Sequence, residues 1–245
     1  MKKIFKKILI KIINININFT TSILRRFIHI YPSTLIPYLY SKKFKIKINT
    51  IYDIGANEGL WTSSRKIFYP SSLFYLFEAN PKHEEDLKKY GEFYIGALSD
   101  CEKEVLFYFR DGGDGTGDSY YKENTEIYEN ITPVATRTEI LSKVVSDLNF
   151  QKPDYIKLDT QGSELDILRG FGDLISSVAM ISMEVNLYDY NQSSTTFDEV
   201  IAFMKDRGFY AQSIIEQHTN RTKFKKGILN QVDILFINKI FLNDK

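Results

Sequence analysis

Cysteine is almost absent from this chain of 245 residues. Cys101 stands alone, which excludes an internal disulfide framework and any cysteine-cluster zinc site. Histidine is nearly as scarce: His29, His83 and His218 lie far apart in sequence, so a histidine-rich metal centre is not expected. Long apolar runs are missing too. The uncharged stretch from Ile12 to Leu24 is too short and too rich in Asn and Thr to span a bilayer. Acidic residues are absent from the first 52 positions, which hold eleven Lys and Arg. Removing those eleven from the 32 basic residues leaves 21 to set against all 31 acidic ones, a net of −10 beyond residue 52. A basic arm therefore precedes an acidic body, and an acidic body argues against nucleic acid as its partner.

What is present is ordinary globular material. Apolar residues make up 43% and charged residues 26%, which rules out disorder, collagen or coiled coil as a description of the whole chain. At roughly 100–200 residues per domain, one full domain with an extension is expected. The boundary falls near residue 46, giving a helical, basic extension over 1–45 and a domain over 46–245. On a helix, Ile4, Phe5, Ile8, Leu9, Ile12 and Ile13 share one side, and Lys2, Lys3, Lys6, Lys7 and Lys11 lie largely on the other. That pattern suits peripheral contact of residues 1–19 with a membrane interface. It also suits a helix packed on its own domain, and Ile15, Ile17 and Phe19 alternating with Asn would suit a strand. Residues 20–45 read as short helical pieces broken by Pro32 and Pro37.

From residue 46 onward, runs of strand length alternate with helical stretches. Strands are expected at 47–54, 73–78, 93–97, 105–110, 155–159, 179–185, 209–214 and 232–237. Helices are expected near 59–69, 82–90, 137–148, 163–170 and 195–207. This alternation predicts an α/β fold with a mostly parallel sheet covered on both faces. The last two strands leave no room for a helix between them and should form an antiparallel hairpin, with His218 in its loop. Residues 111–136, rich in Gly, Asp and Tyr, are too long for a plain connection and read as a lid.

Three strand ends carry the chemistry. The first is Asp53-Ile-Gly55-Ala56-Asn57-Glu58-Gly59, at a strand-to-helix turn, where open α/β sheets bind ligands. A dinucleotide fingerprint reads G-x-G-x-x-G and holds a pyrophosphate on the helix N-terminus. Here the spacing is G-x-x-x-G, and Asp53 precedes it. A carboxylate repels pyrophosphate but favours a cationic amino-acid ligand. S-adenosylmethionine, with a sulfonium, an ammonium group and no phosphate, suits the turn better than a nicotinamide dinucleotide. The second strand end is Phe77-Glu78-Ala79-Asn80-Pro81, where Glu78 is positioned to accept from ribose hydroxyls. The third is Lys157-Leu-Asp159-Thr-Gln161-Gly-Ser-Glu164, a polar cluster at the point of transfer.

In order and spacing, these segments with Ala97-Leu98-Ser99-Asp100 and Met183-Glu184-Val185 resemble the FkbM-type S-adenosylmethionine-dependent methyltransferases, over roughly 48–238. The resemblance implies a Rossmann-like seven-stranded sheet with an antiparallel last strand. It also implies O-methylation of a sugar hydroxyl in a polysaccharide, glycolipid or related natural product. The residues set against the cofactor are Asp53, Gly55, Ala56, Asn57, Gly59, Glu78, Ala79, Ala97, Leu98 and Asp159, with the adenine edge near Ala97 and Leu98. Ala79 stands where the family more often has proline, and Thr160-Gln161 where it has Val-Glu. Catalytic candidates are Asp159, Glu184 and His218. No metal set is assigned; a divalent ion held by Asp159 and Glu184 stays open, with no histidine seen beside them. Two other readings remain: a nucleotide-dependent oxidoreductase, and a membrane-associated partner in glycan modification that lacks turnover. The low cysteine content fits a reducing cytoplasm, and the basic arm an inner membrane face. Oligomeric state is not readable.

Overall fold

The computed structural model describes residues 32–110, 117–188, 191–192, 194–219 and 228–242. The expected amphipathic segment over residues 1–19 lies outside them. The described chain opens with helix α1 (Pro32–Lys43), followed by β1 (Thr50–Ile54), α2 (Leu60–Arg65), β2 (Leu73–Glu78), α3 (Glu84–Leu87) and β3 (Glu92–Ile95). Then come β4 (Ala97–Ser99), β5 (Glu104–Phe107), β6 (Val134–Ile140), α4 (Leu141–Asp147), β7 (Tyr155–Leu158) and α5 (Glu164–Phe171). The fold closes with β8 (Met180–Asn186), α6 (Phe197–Asp206), β9 (Phe209–Thr219) and β10 (Leu229–Asn238).

Seven strands form one sheet in the order β3-β2-β1-β7-β8-β10-β9. Its pairs are parallel from β3 through β8, and β10 runs antiparallel to both β8 and β9. The expected sheet with an antiparallel last strand is therefore present. Successive side chains of a strand point to opposite faces, so the inner strands feed two cores. Tyr52, Ile54, Tyr75, Phe77, Ile156 and Leu158 enter the core on one face, while Ile51, Phe74, Leu76 and Tyr155 enter the other. Every residue of β1 and β7 is buried, so both read as largely apolar runs, with Asp53 and Lys157 pairing between them.

Four expectations need correction. Helix α1 runs through Pro37 rather than breaking there. Proline in a helix interior costs roughly 3 kcal/mol, and burial of the flanking Leu35, Ile36, Tyr38 and Leu39 in the second core offsets it. The 93–97 strand divides at Gly96, where β4 leaves the main sheet to pair with β6 in a three-stranded sheet ordered β4-β6-β5. The expected helix over 137–148 begins only at Leu141. Residues 134–140 are strand, consistent with the β-branched content of Val-Ala-Thr-Arg-Thr-Glu-Ile. Finally, β9 extends to Thr219, so His218 sits on a strand and not in the hairpin loop. Register shifts between β9 and β10 break the two-residue alternation that would have revealed that length.

Candidate active site

Parallel strands bring their carboxyl ends to one edge of the sheet. A cavity of about 540 Å³ opens there, within the size range of small-ligand sites. The sequence-expected residues Gly55, Asn57, Glu78, Ala79, Ala97, Leu98, Asp159, Glu184 and His218 all line it. Asp53, Ala56 and Gly59 do not.

The first turn is built for the chain's own backbone as much as for a ligand. Gly55 has φ +72°, and a Cβ there would lie 1.9 Å from the carbonyl oxygen of Asp159. What requires a glycine at this point is the neighbouring turn after β7. Gly59, at φ +75°, lies against the Tyr90 ring, where a Cβ would come within 2.4 Å. Asp53 is fully buried beneath the cavity. Its Oδ2 accepts from Thr62 Oγ1 at 2.7 Å, and its Oδ1 lies 3.2 Å from Lys157 Nζ. Where the sequence suggests a carboxylate facing a cationic ligand, the structure places an internal ion pair. Lys157 also donates to the Gly55 carbonyl at 2.8 Å and lies 3.6 Å from Asp159. Burial works against its charge, but the carboxylates of Asp53 and Asp159 outweigh that, and its pKa is raised. The pair ties β1 to β7 under the cavity floor.

Glu78 is 8% exposed and ends β2 in the cavity wall. Its Oε2 accepts from the Asn57 backbone N–H at 2.7 Å, and its Oε1 from that of Asn80 at 2.8 Å. Asn57 reaches this position with φ +49°, a left-handed conformation that asparagine tolerates. Each carboxylate oxygen keeps a second lone pair for a ligand hydroxyl. Burial raises the Glu78 pKa, partly offset by the two backbone donors.

At its far end the cavity adjoins a smaller one of about 290 Å³, and Asp159, Glu184 and His218 line both. Gln161 Nε2 bridges the two acids, donating to Asp159 Oδ1 at 3.0 Å and to Glu184 Oε2 at 2.7 Å. A glutamate at 161 would place a third carboxylate between them, whereas the amide supplies the donor both need. Gln231 Nε2 donates to the same Glu184 oxygen at 3.0 Å. Burial, then the charges of Asp159, Asp233 and Glu164, push the Glu184 pKa well up. His218 Nε2 lies 3.3 Å from Asp233 Oδ1 and 4.0 Å from Glu184 Oε1, and its hydrogen bond to Asp233 raises its pKa. Glu164, expected at the point of transfer, instead lies under the turn. Its two oxygens accept from the N–H groups of Thr160 and Gly162 at 2.7 and 3.0 Å.

Asp233 is a site residue that the sequence reading missed. Asp233 reaches the site only because β10 inserts beside β8, a long-range pairing with no local signature. Within the expected lid over 111–136, of which 117–136 are described, residues 117–121 are fastened to the cavity wall. Ser119 Oγ donates to the Gln161 carbonyl at 3.0 Å, and Tyr121 Oη to Asp166 at 2.7 Å. Tyr120 lines the cavity beside them. Trp61 packs 5.9 Å from Tyr155 beneath the Arg65 guanidinium.

A parallel sheet closed by an antiparallel last strand, with a cavity at the strand ends and an acid terminating β2, is the architecture of a class I methyltransferase. The chain matches the methyltransferase FkbM domain over residues 53–210, well over half its length, and belongs to that family. Among the curated proteins, none matches at a significant level. Solved structures with a similar course include the precorrin-6y C5,15-methyltransferase of Geobacter metallireducens, at 13% identity and TM-score 0.44, covering 83% of this chain and 86% of that one. A putative O-methyltransferase from Klebsiella pneumoniae is similar at 12% identity and TM-score 0.46, covering 84% and 79%. The plantazolicin methyltransferase BpumL, solved with SAH, is similar at 13% identity and TM-score 0.46, covering 84% and 82%. Family membership supports methyl transfer from S-adenosylmethionine as the chemistry of this site and sets the oxidoreductase reading aside.

Proposed function

We propose that this chain binds S-adenosylmethionine in the larger cavity and methylates a hydroxyl of a sugar in a polysaccharide, glycolipid or related natural product. The observation that supports this is the junction of the two cavities, where acids and an imidazole gather at the far end from Glu78. In this reading Glu78 accepts from the ribose hydroxyls, and Ala97 and Leu98 flank the adenine. The acceptor enters from the smaller cavity.

Methyl transfer is an in-line displacement, so alignment of the two substrates is the largest task. A sugar hydroxyl has a high pKa and needs a base close by. Asp159, half-exposed at the junction, takes the hydroxyl proton. The oxygen then bonds to the methyl carbon, the carbon–sulfur bond breaks, and its electron pair stays on sulfur as S-adenosylhomocysteine. Glu184 and His218 face the acceptor from the same wall. The basic segment over residues 1–19 would hold the enzyme against an anionic membrane face, close to lipid-linked sugars. No described helix is long and apolar enough to cross a membrane.

Calorimetry with S-adenosylmethionine and, separately, a nicotinamide dinucleotide tests the cofactor. Glu78→Ala is the informative variant, because Asp53→Ala would leave Lys157 buried beside one fewer anion. The expected result is binding of S-adenosylmethionine alone, weakened about tenfold or more without Glu78, as loss of a charged hydrogen-bonding partner implies. Binding of the dinucleotide alone would overturn the proposal. Release of S-adenosylhomocysteine across a panel of sugar acceptors then identifies the substrate class.

A further inference from the structure

Three carboxylates meet across three neighbouring strands. In the register of β10, Asp233 stands directly opposite Glu184 of β8 on one side and Glu216 of β9 on the other. Like charges in directly opposed positions weaken a sheet. A sheet with this register needs something to neutralise it. Two buried cations stand nearby: Lys157 is committed to Asp53, Asp159 and the Gly55 carbonyl, and Arg65, which lines the smaller cavity, is drawn to Asp53 and Glu216, so Glu184 and Asp233 remain opposed.

Glu184 shows where the neutralising group belongs. Its side chain is nine-tenths buried. Its Oε2 is saturated by the two amide donors of Gln161 and Gln231. Its Oε1 has no hydrogen-bond donor among the described residues and points towards His218 Nε2 at 4.0 Å. His218 Nε2 in turn lies 3.3 Å from Asp233 Oδ1. One donor atom from each of Glu184, His218 and Asp233 lies within 4.8 Å of the other two. Ligands about 2.0–2.2 Å from a common ion sit roughly 3–4.4 Å apart, so a small contraction closes the set. One imidazole with two carboxylates is a donor set for Mn²⁺, Zn²⁺ or a similar divalent ion. His218 corrects the expectation that no histidine stands by the acids, and Asp233 replaces Asp159 in the set.

We propose that Glu184, His218 and Asp233 form a divalent-cation site whose open positions face the junction of the two cavities. A cation there would bind the acceptor through its oxygens and acidify the hydroxyl that Asp159 deprotonates, without changing its own oxidation state. The acceptor half of this inference rests on the proposed function; the cation site itself does not.

The test uses the full chain, stripped with EDTA and passed through gel filtration. Mn²⁺ is titrated in, free Mn²⁺ is followed by electron paramagnetic resonance, and heat is followed by calorimetry. The expected result is one Mn²⁺ per chain, with affinity reduced at least tenfold in Asp233→Asn and again in His218→Gln. Circular dichroism and S-adenosylmethionine binding report whether each variant is folded. If either variant unfolds, Glu184→Gln takes its place. No uptake by the wild type, as when Glu184 is neutralised by a proton instead, overturns the site; so does equal uptake by folded variants. S-adenosylmethionine binding in EDTA together with no Mn²⁺ uptake would remove the cation and leave methyl transfer standing. Mn²⁺ uptake without cofactor binding would do the reverse.

Discussion

At the scale of single residues, the site depends on atoms that oppose one another within a few ångströms. Gly55 is the sharpest case. A methyl group there meets the Asp159 carbonyl at 1.9 Å, in a backbone region that L-residues enter at a cost of about 1–2 kcal/mol. Gly55→Ala is therefore expected to lose more than about 2 kcal/mol in urea unfolding, strain and displaced backbone together. A loss within the ±0.5 kcal/mol typical of neutral surface changes would show that the two turns are not in contact. Glu164 sets a pH dependence. Burial raises its pKa from 4.5 to about 7, so the fold favours its protonated form. The stability it contributes is complete below about pH 4.5 and is lost as pH rises through about 7. Unfolding free energies of the wild type and Glu164→Gln, measured from pH 4.5 to 7.5, should diverge, with the wild type falling more steeply. Parallel profiles would refute that assignment. The identity of these residues was legible in the sequence, because acids and glycines at strand ends mark ligand sites. Their partners were not legible. Nothing local says that Asp53 turns down onto Lys157 or that Gln161 lies between two acids.

At the scale of elements, the strands of the parallel half were readable because burial on both faces leaves continuous apolar runs bounded by polar strand ends. The elements outside that half were harder. β6 begins in a stretch that also suits a helix, and only its pairing with β4 and β5 decides the outcome. β9 is longer than its visible alternation because register shifts exchange the inward and outward positions along it. Helix α1 was expected in pieces, and it belongs to the second core. Leu35 is 1% exposed there, beside Tyr38, Tyr69 and Phe74. Leu35→Ala should cost about 2–5 kcal/mol in a single cooperative transition, the range for deleting a buried leucine side chain. A cost under about 0.5 kcal/mol would mean that the helix is only loosely attached. Any division of the chain near residue 46 thus separates a sequence feature, basic against acidic, from a packing unit that crosses it.

At the scale of the whole molecule, the fold class was the most legible property, since alternating strands and helices leave few ways to bury both faces of a sheet. The candidate site was legible only in half. Glu78 and Asp159 announce themselves at the ends of parallel strands. The Asp233 and His218 side is assembled by a hairpin that returns against the direction of the sheet, and such pairing is invisible until the strands are placed. The excess of acid beyond residue 52 is not all spread over a solvated surface. Part of it is concentrated at Asp53, Glu164 and Glu184, where burial makes each charge expensive unless a partner is supplied.

The antiparallel insertion of β10 also fixes an order of events during synthesis. As the chain emerges from the ribosome, β8 can join the parallel strands already made, but its outer edge must wait for β10, the last strand in chain order. β9 is made before β10 and cannot take its final place until β10 lies between it and β8. Asp233 arrives on that same late strand. A nascent chain that has reached α6 already carries Glu78 and Asp159, yet the candidate site still lacks the side that His218 and Asp233 complete, so its cavity closes only after nearly all of the described fold has been translated.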